Sequence, residues 1–280
     1  MLTNSFIHID GVGDIIERRI WAEGAQSWLD FLSAPPKFLS YPMVKQIYKE
    51  LDRSMQALEE GDIYYFKRTL PTRYHWRLYP EFKDYICFFD IETTGLSAFQ
   101  SHITTVACYD GKKTTTFVRD ENLHDLPDHL KKYKVLSTFN GKMFDVPFVE
   151  QEMKIRLGQP NIDLMHVLKG LGYKGGLKAC ENKLGIGREE LKGVDGRVAI
   201  TLWQCFKETG NRDFLDTMLA YNVEDAVNLQ RLLVICHNMR LEQYKTLEID
   251  PIPETPKPEC EYKINMDCLH LSIKKIPTYF

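Results

Sequence analysis

The apolar positions of this 280-residue chain change period twice. From residue 1 to 84 the spacing is helical. In SYPMVKQIYKELDRSMQALEEGD, Val44, Ile47, Tyr48, Leu51, Met55 and Leu58 recur at three- and four-residue intervals, with Ser40 placed as a cap and Gly61 as a stop. Such a stripe covers one helix face and needs a partner to bury it. From 85 to 241 the period first shortens. YICFFDI, HITTVACYD and KTTTFVR read as strands, the last two joined through Asp110 and Gly111 as a hairpin, which makes an antiparallel meander. A helix at 122–133, the strand KVLSTF, a helix from about 146, a short strand around Ile162 and helices to about 241 then follow. A meander leading into crossover units predicts an α/β domain: a mixed five-stranded sheet flanked by helices, with a small helical N-terminal region at 1–84. Residues 242–280 form the third zone. Pro251, Pro253, Pro256 and Pro258 in PIPETPKPE exclude a helix and predict an extended linker or strap, and INMDCLHLSIKKIPTYF beyond it reads as strand-like and apolar.

The first strand carries the first chemistry. In FFDIETTGL, side chains alternate between faces, so Asp90 and Glu92 project together while Phe89 and Ile91 project oppositely. Adjacent carboxylates at the end of a doubly covered strand are costly unless paired or bound to cations; solvation at a strand edge is the alternative. In STFNGKMFDVPFVE, Asp145 stands two residues before Pro147, where a helix opens. It reads as a helix cap, with one oxygen free to face a cation-bound water. In LAYNVEDAVNLQRLL, Tyr221 and Asp225 are four apart and share a helix face beside the stripe Leu215, Leu219, Ala226, Leu229 and Leu233.

Composition narrows the setting. The chain is 44% hydrophobic and 27% charged, lacks any apolar run near the roughly 20 residues of a membrane helix, and carries Asp10, Asp14 and Glu17 where a secretory signal would be apolar. A cytoplasmic protein is expected. Seven cysteines without a C-x-x-C pair suggest neither a disulfide framework nor a zinc ribbon, and Cys268 with His270 is read as packing. The net charge of −3 advertises no nucleic-acid partner, unless a local patch or bound cations reverse the sign of the acid cluster.

Taken in order, FDIETTGL, FNGKMFDVPF and YNVED resemble the three motifs of the DEDD superfamily of 3'-5' exonucleases, which have an RNase H-like fold. The second stretch is close to that of the proofreading domains of family B DNA polymerases. HWRLYPEF, GGLKACENKLG and DGRVAITLW make the arrangement most similar to the YprB-like predicted exonucleases, over residues 62–240. Tyr221 stands four before Asp225, and Ala220 occupies the place of the histidine subtype's histidine, so the resemblance is to the tyrosine (DEDDy) subtype.

The resemblance implies two divalent ions, Mg2+ or Mn2+, held by Asp90, Glu92, Asp145 and Asp225. Asp90 would bridge both, Glu92 and Asp225 would complete the nucleophile-side ion, and Asp145 would hold the other partly through water. Tyr221 would orient the attacking water. Thr93, Thr94, Gly95 and Leu96 would contact the terminal nucleotide, and Asn140 and Phe144 would line the strand, although a turn residue and a core aromatic read equally well there. The implied activity is release of nucleoside 5'-monophosphates from a single-stranded 3' end, DNA favoured over RNA, with a place in DNA repair. A non-catalytic nucleic-acid-binding or clamp-associated subunit and an RNase H-type endonuclease are the alternatives.

Three further stretches are weighed for substrate or partner contact. FIHIDGVGDIIERRIWAEGAQSWLDFL resembles a helix-hairpin-helix element around Gly11-Val12-Gly13, which would offer backbone N–H groups to phosphate, although Asp14 opposes it. TRYHWRLYPEF has Arg73, Tyr74, His75, Trp76, Arg77 and Tyr79 interleaved as in a base-stacking surface, with packing favoured over that role. Ile273, Ile276, Tyr279 and Phe280 are spaced like the plug of a sliding-clamp-binding peptide, without its glutamine. Asp195 before Gly196 reads as a helix cap, and Asp163 stays unassigned.

Overall fold

The structure, a computed structural model, describes residues 1–187 and 196–276. Asp195, Tyr279 and Phe280 lie outside the described residues. Before the sheet come α1 (Asp14–Ala22), α2 (Trp28–Ser33), α3 (Tyr41–Glu59), α4 (Ile63–Thr69) and the single turn α5 (Tyr79–Phe82). In α3, Ile47 and Leu51 are fully buried and Ser40 takes the N-cap position without a side-chain capping bond. Gly61 ends the segment at φ +65°, a conformation glycine enters without a steric penalty. The turn at Gly11–Gly13 opens α1, and among the described residues, 1–10 form a three-residue 3-10 turn, Leu2–Asn4, and irregular chain rather than an α-helix. Asp14 accepts a hydrogen bond from the Tyr74 hydroxyl and lies 3.6 Å from Arg73.

The sheet contains β1 (Ile86–Thr93), β2 (Ile103–Tyr109), β3 (Thr114–Val118), β4 (Val135–Thr138) and β5 (Asn161–Asp163), in the order β3-β2-β1-β4-β5. β1 pairs antiparallel with β2 and parallel with β4. Alternation along β1 decides what each face packs on. Cys87, Phe89 and Ile91 join a cluster with Leu126 and Leu130 of α6 (Leu126–Leu130) and Phe148 and Val149 of α7 (Asp145–Met153). Ile86 and Phe88 face the opposite way, into the cluster shared with the N-terminal helices and with Val223, Ala226 and Val227. Asp90 and Glu92 continue that second face. The helix predicted over 122–133 is shorter than its pattern: a 3-10 turn at Leu123–Asp125 leads into α6, where Pro127 sits in the first turn.

After β5 come α8 (Leu164–Lys169), α9 (Leu177–Lys183), α10 (Gly196–Thr209) and the 31-residue α11 (Arg212–Glu242). At 1.5 Å per residue α11 is about 47 Å long. It crosses β1 and β2 at its middle, packs on α10 at one end, and meets the N-terminal region at the other through His237 against Trp76, ring centroids 5.4 Å apart. The proline-rich segment runs back along it. Asn238 exchanges two hydrogen bonds with the backbone of Ile252 (2.8 and 2.9 Å), Thr255 donates to Gln230 (3.1 Å), Lys257 pairs with Glu224, and the Asn265 N–H donates to Thr217 (3.0 Å). It is a strap.

The tail beyond the strap is helical, not strand-like. In α12 (Met266–Lys275), Cys268, Leu269 and Ser272 are buried while Met266, Leu271 and Ile273 are exposed, a helical period hidden by the high apolar content of the stretch. Asn265 caps it, accepting from the N–H groups of Asp267 and Cys268. Cys268 is buried and His270 exposed, so they do not face a common site. Ile276, partly buried, packs against the cluster of α10, α11 and α12, so one of the clamp-peptide positions is engaged within the fold. No described helix is long and apolar enough to cross a membrane.

The segment Thr72–Leu78 is a 3-10 turn with Tyr74, His75, Trp76 and Arg77 all buried, so its aromatic side chains pack rather than form a base-stacking surface, and of its basic residues Arg73 alone is exposed. Arg77 is 0% exposed. Its guanidinium donates to both oxygens of Glu17 (2.7 and 2.9 Å), to Ser5 (2.6 Å) and to the Tyr244 hydroxyl (2.9 Å), and lies 4.7 Å from the Tyr74 ring centroid. Glu17 also accepts the backbone N–H groups of Phe6 and Ile7. Removing either charge strands the other in the core. Arg77→Ala is therefore expected to destabilise the protein by about 3–5 kcal/mol in a urea titration. A loss below about 1 kcal/mol would show that the pair does not hold the N-terminal region to the end of α11.

Candidate active site

Three elements deliver the five side chains expected to carry chemistry. β1 presents Asp90 and Glu92 near its C-terminal end, where the register with β2 shifts between Glu92 and Thr93. Such a bulge turns the chain away from the sheet directly after the second acid. Asp145 is the first residue of α7. Phe144 takes the N-cap position, so the capping role expected of Asp145 is not made; its Oδ1 instead accepts the Ile91 N–H of β1 at 3.3 Å. That bond ties α7 to the strand between the two acids. Tyr221 and Asp225, four apart on α11, complete the group.

All five line one cleft of about 630 Å3. Asn140, Phe144 and Lys178 line it as well, and Phe139, Leu177, Val198, Leu202 and Met218 give it an apolar wall. Asp145 is 4% exposed, and Asp90, Glu92 and Asp225 are half-buried. Mutual proximity in a poorly solvated cleft raises carboxyl pKa values. Burial, then Asp225, Asp145 and Glu92, push Asp90 well above the carboxylate range. Burial and Asp225 raise Glu92 to about 8, and burial raises Asp145 to about 7 against the opposing effect of its backbone hydrogen bonds.

Lys178, on α9, was not singled out in the sequence, although GGLKACENKLG contains it. Its ammonium pairs with Asp225 and lies 3.3 Å from Glu181, which is buried and accepts from Asn228 at 2.9 Å. A lysine distant in sequence from all three motifs carries no local signal of this placement. Asp163, left unassigned above, caps α8 by accepting the Met165 N–H and also accepts the N–H groups of Asn140 (2.9 Å) and Lys142 (3.2 Å). It holds the Asn140 turn, where Asn140 sits at φ +62°.

The stretch after β1 does not line the cleft. Thr93 donates to the Gly95 carbonyl at 2.6 Å, and Thr94 exchanges two 2.9 Å hydrogen bonds with the His102 backbone. A Cβ at Gly95 would come within 2.6 Å of the Ser101 hydroxyl oxygen, so glycine there serves the closure of the loop. Leu96 stands 87% exposed at its tip.

Among the described residues no three His, Cys, Asp or Glu side chains form a ready-made metal-binding group. The donor chemistry nevertheless fits a hard divalent cation: carboxylate oxygens from three elements converge where burial and the neighbouring acids disfavour the charged forms of Asp90 and Glu92.

The raised pKa of Glu92 has a sign. The folded protein holds a proton on Glu92 up to about pH 8, whereas the unfolded chain releases it in the ordinary carboxylate range. The stability this gives is present at low pH and lost as pH rises through about 8. In chelator, Glu92→Gln should therefore be more thermostable than wild type above about pH 8, the advantage vanishing near about pH 4. Buried His8 and His75, pulled down to about 3 and about 4 by burial, titrate in the opposite sense in both proteins and cancel, so the difference in melting temperature reports Glu92 together with its effect on Asp90. A difference independent of pH would contradict the strained carboxylate.

The geometry can be set beside known proteins. Among curated proteins none matches the chain. The family B DNA polymerase of the hyperthermophilic archaeon Pyrobaculum calidifontis shares 15% identity over 58% of this chain, with a TM-score of 0.43, and the match spans 27% of that polymerase's length. Residues 87–236, more than half of the chain, match the RNase_H_2 family model, described as RNase_H superfamily. With the β3-β2-β1-β4-β5 mixed sheet and its flanking helices, the chain belongs to the RNase H superfamily.

Proposed function

We propose that the protein is a metal-dependent 3'-5' exonuclease of the tyrosine subtype, with residues 85–241 as its nuclease unit. The convergence of Asp90, Glu92, Asp145, Tyr221 and Asp225 on one cleft is the observation that carries this reading. Two divalent ions, Mg2+ or Mn2+, would supply charge stabilisation for the attacking and leaving oxygens of an in-line displacement. The chain's own residues do the rest. Asp90, Glu92, Asp145 and Asp225 hold the cations. Tyr221 positions the attacking water through its hydroxyl. Water oxygen bonds to phosphorus, the bond from phosphorus to the 3' oxygen breaks, and the leaving oxygen takes up a proton.

The apolar wall of the cleft suits a nucleoside, whose phosphates would be met through cations. Phe144, half-buried with its ring centroid 4.8 Å from that of Phe148, and Asn140 stand on the cleft wall and would line the strand. Thr93, Thr94 and Gly95 act by shaping the loop that presents Leu96 to the terminal nucleotide. Single-stranded DNA is favoured over RNA on the likeness of FNGKMFDVPF to proofreading domains.

End-labelled single-stranded DNA and RNA, incubated with Mg2+ or Mn2+, test the reading. Stepwise release of mononucleotides from the 3' end is expected, falling about a thousandfold in Asp90→Ala and about a hundredfold in Tyr221→Phe. Cutting of a circular substrate would indicate an endonuclease instead. Equal, metal-independent behaviour of wild type and a folded Asp90→Ala would refute the assignment.

A further inference from the structure

Asn222 lies one residue beyond Tyr221 and three before Asp225, yet faces the sheet rather than the open cleft. It is 0% exposed. Its Nδ2 donates to the backbone carbonyl of Asp90 at 3.0 Å and to Asp90 Oδ2 at 2.8 Å. Its Oδ1 accepts from the Thr105 hydroxyl at 3.1 Å, and Thr105, also fully buried, stands on β2 directly opposite Glu92. One amide therefore joins β1, β2 and α11 at the level of the acids.

The chemistry of the position selects an amide. A buried side chain here must donate twice towards Asp90 and accept once from Thr105, which asparagine does with both ends of its head group. Flipping the amide would turn its oxygen towards the Asp90 backbone carbonyl, which can only accept, so that bond selects the observed orientation. An aspartate of the same shape would add another carboxylate to the cluster and lose both donors. An aliphatic residue would leave Thr105 and Asp90 without those bonds.

We propose that Asn222 is a positioning residue for metal binding: it fixes the carboxylate plane of Asp90 through Oδ2, leaves Oδ1 directed to the cleft, and sets the register of α11 so that Tyr221 and Asp225 arrive opposite it. Thr105 acts through Asn222 by holding the amide in its one productive orientation. This rests on the two-metal reading of the cleft. Partners of this kind, one bond removed from a metal ligand, typically change metal affinity or activity by about 10- to 100-fold when lost.

The test is Mn2+ binding by titration calorimetry on full-length wild type, Asn222→Leu, Asn222→Asp, Thr105→Val and the Asn222→Leu/Thr105→Val double variant, with circular dichroism confirming the fold. Either substitution of Asn222 should weaken Mn2+ binding by about 10- to 100-fold, with Thr105→Val weaker by several-fold, roughly, and without further effect in the double variant. In nuclease assays kcat should fall while KM for the oligonucleotide stays near wild type. Wild-type Mn2+ affinity in a folded Asn222 variant would overturn the role, as would additive losses in the double variant. Thr105→Val keeps the question open to refutation if the Asn222 variants fail to fold, because wild-type affinity there removes the relay. No Mn2+ binding by wild type would overturn the two-metal reading and this role with it.

Discussion

Mutual repulsion among carboxylates is the constraint around which this molecule is built. Asp90, Glu92, Asp145 and Asp225 are brought into one half-buried cleft, where burial and the neighbouring acids disfavour ionisation of Asp90 and Glu92. Side chains free to move would separate. They are instead mounted on rigid elements and fixed individually: Asp145 by the Ile91 N–H, Asp90 by Asn222, and Asp225 by Lys178. Stability is given up locally for a charge distribution that a cation can relieve.

That arrangement depends on where α11 lies. It carries Tyr221, Asn222 and Asp225, and it is restrained along its whole length rather than at one contact. The strap follows it from Asn238 to Thr217, α10 and α12 cover its first turns, and Trp76 and Tyr244 lock its far end to the N-terminal helices. The Arg77–Glu17 pair extends the same restraint to the N-terminal region, since Tyr244 shares the Arg77 guanidinium. The N-terminal helices thus share one hydrophobic cluster with the sheet, and their contribution to the site passes through the position of α11.

Much of this was legible in the sequence. Alternation put Asp90 and Glu92 on one face of β1, helical spacing put Tyr221 beside Asp225, and the meander followed by crossovers gave the mixed sheet, because each of these follows from a local period. What escaped was of two kinds. Lys178, Asn222 and Asp163 owe their roles to partners 132 residues away or fewer in sequence but in other elements, and nothing local marks a side chain for a distant hydrogen bond. The tail from Ile264 was misread as a strand because its apolar residues are dense enough to fit either period, and packing against α10 and α11 decided for the helix. Asp145 fitted a capping pattern, yet it is the first residue of α7 rather than its N-cap, and its carboxylate reaches across to a donor on β1.

The central claim is that this acid cluster exists to hold a pair of divalent cations. A crystal structure grown with Mn2+ and a single-stranded oligonucleotide, with anomalous scattering recorded for manganese, tests it most directly. The account predicts two peaks about 3.5–4 Å apart, both contacting Asp90, with Lys178 moved off Asp225. Anomalous density elsewhere on the molecule with the cleft bare, or Lys178 still paired to Asp225 beside an ordered oligonucleotide, would contradict it.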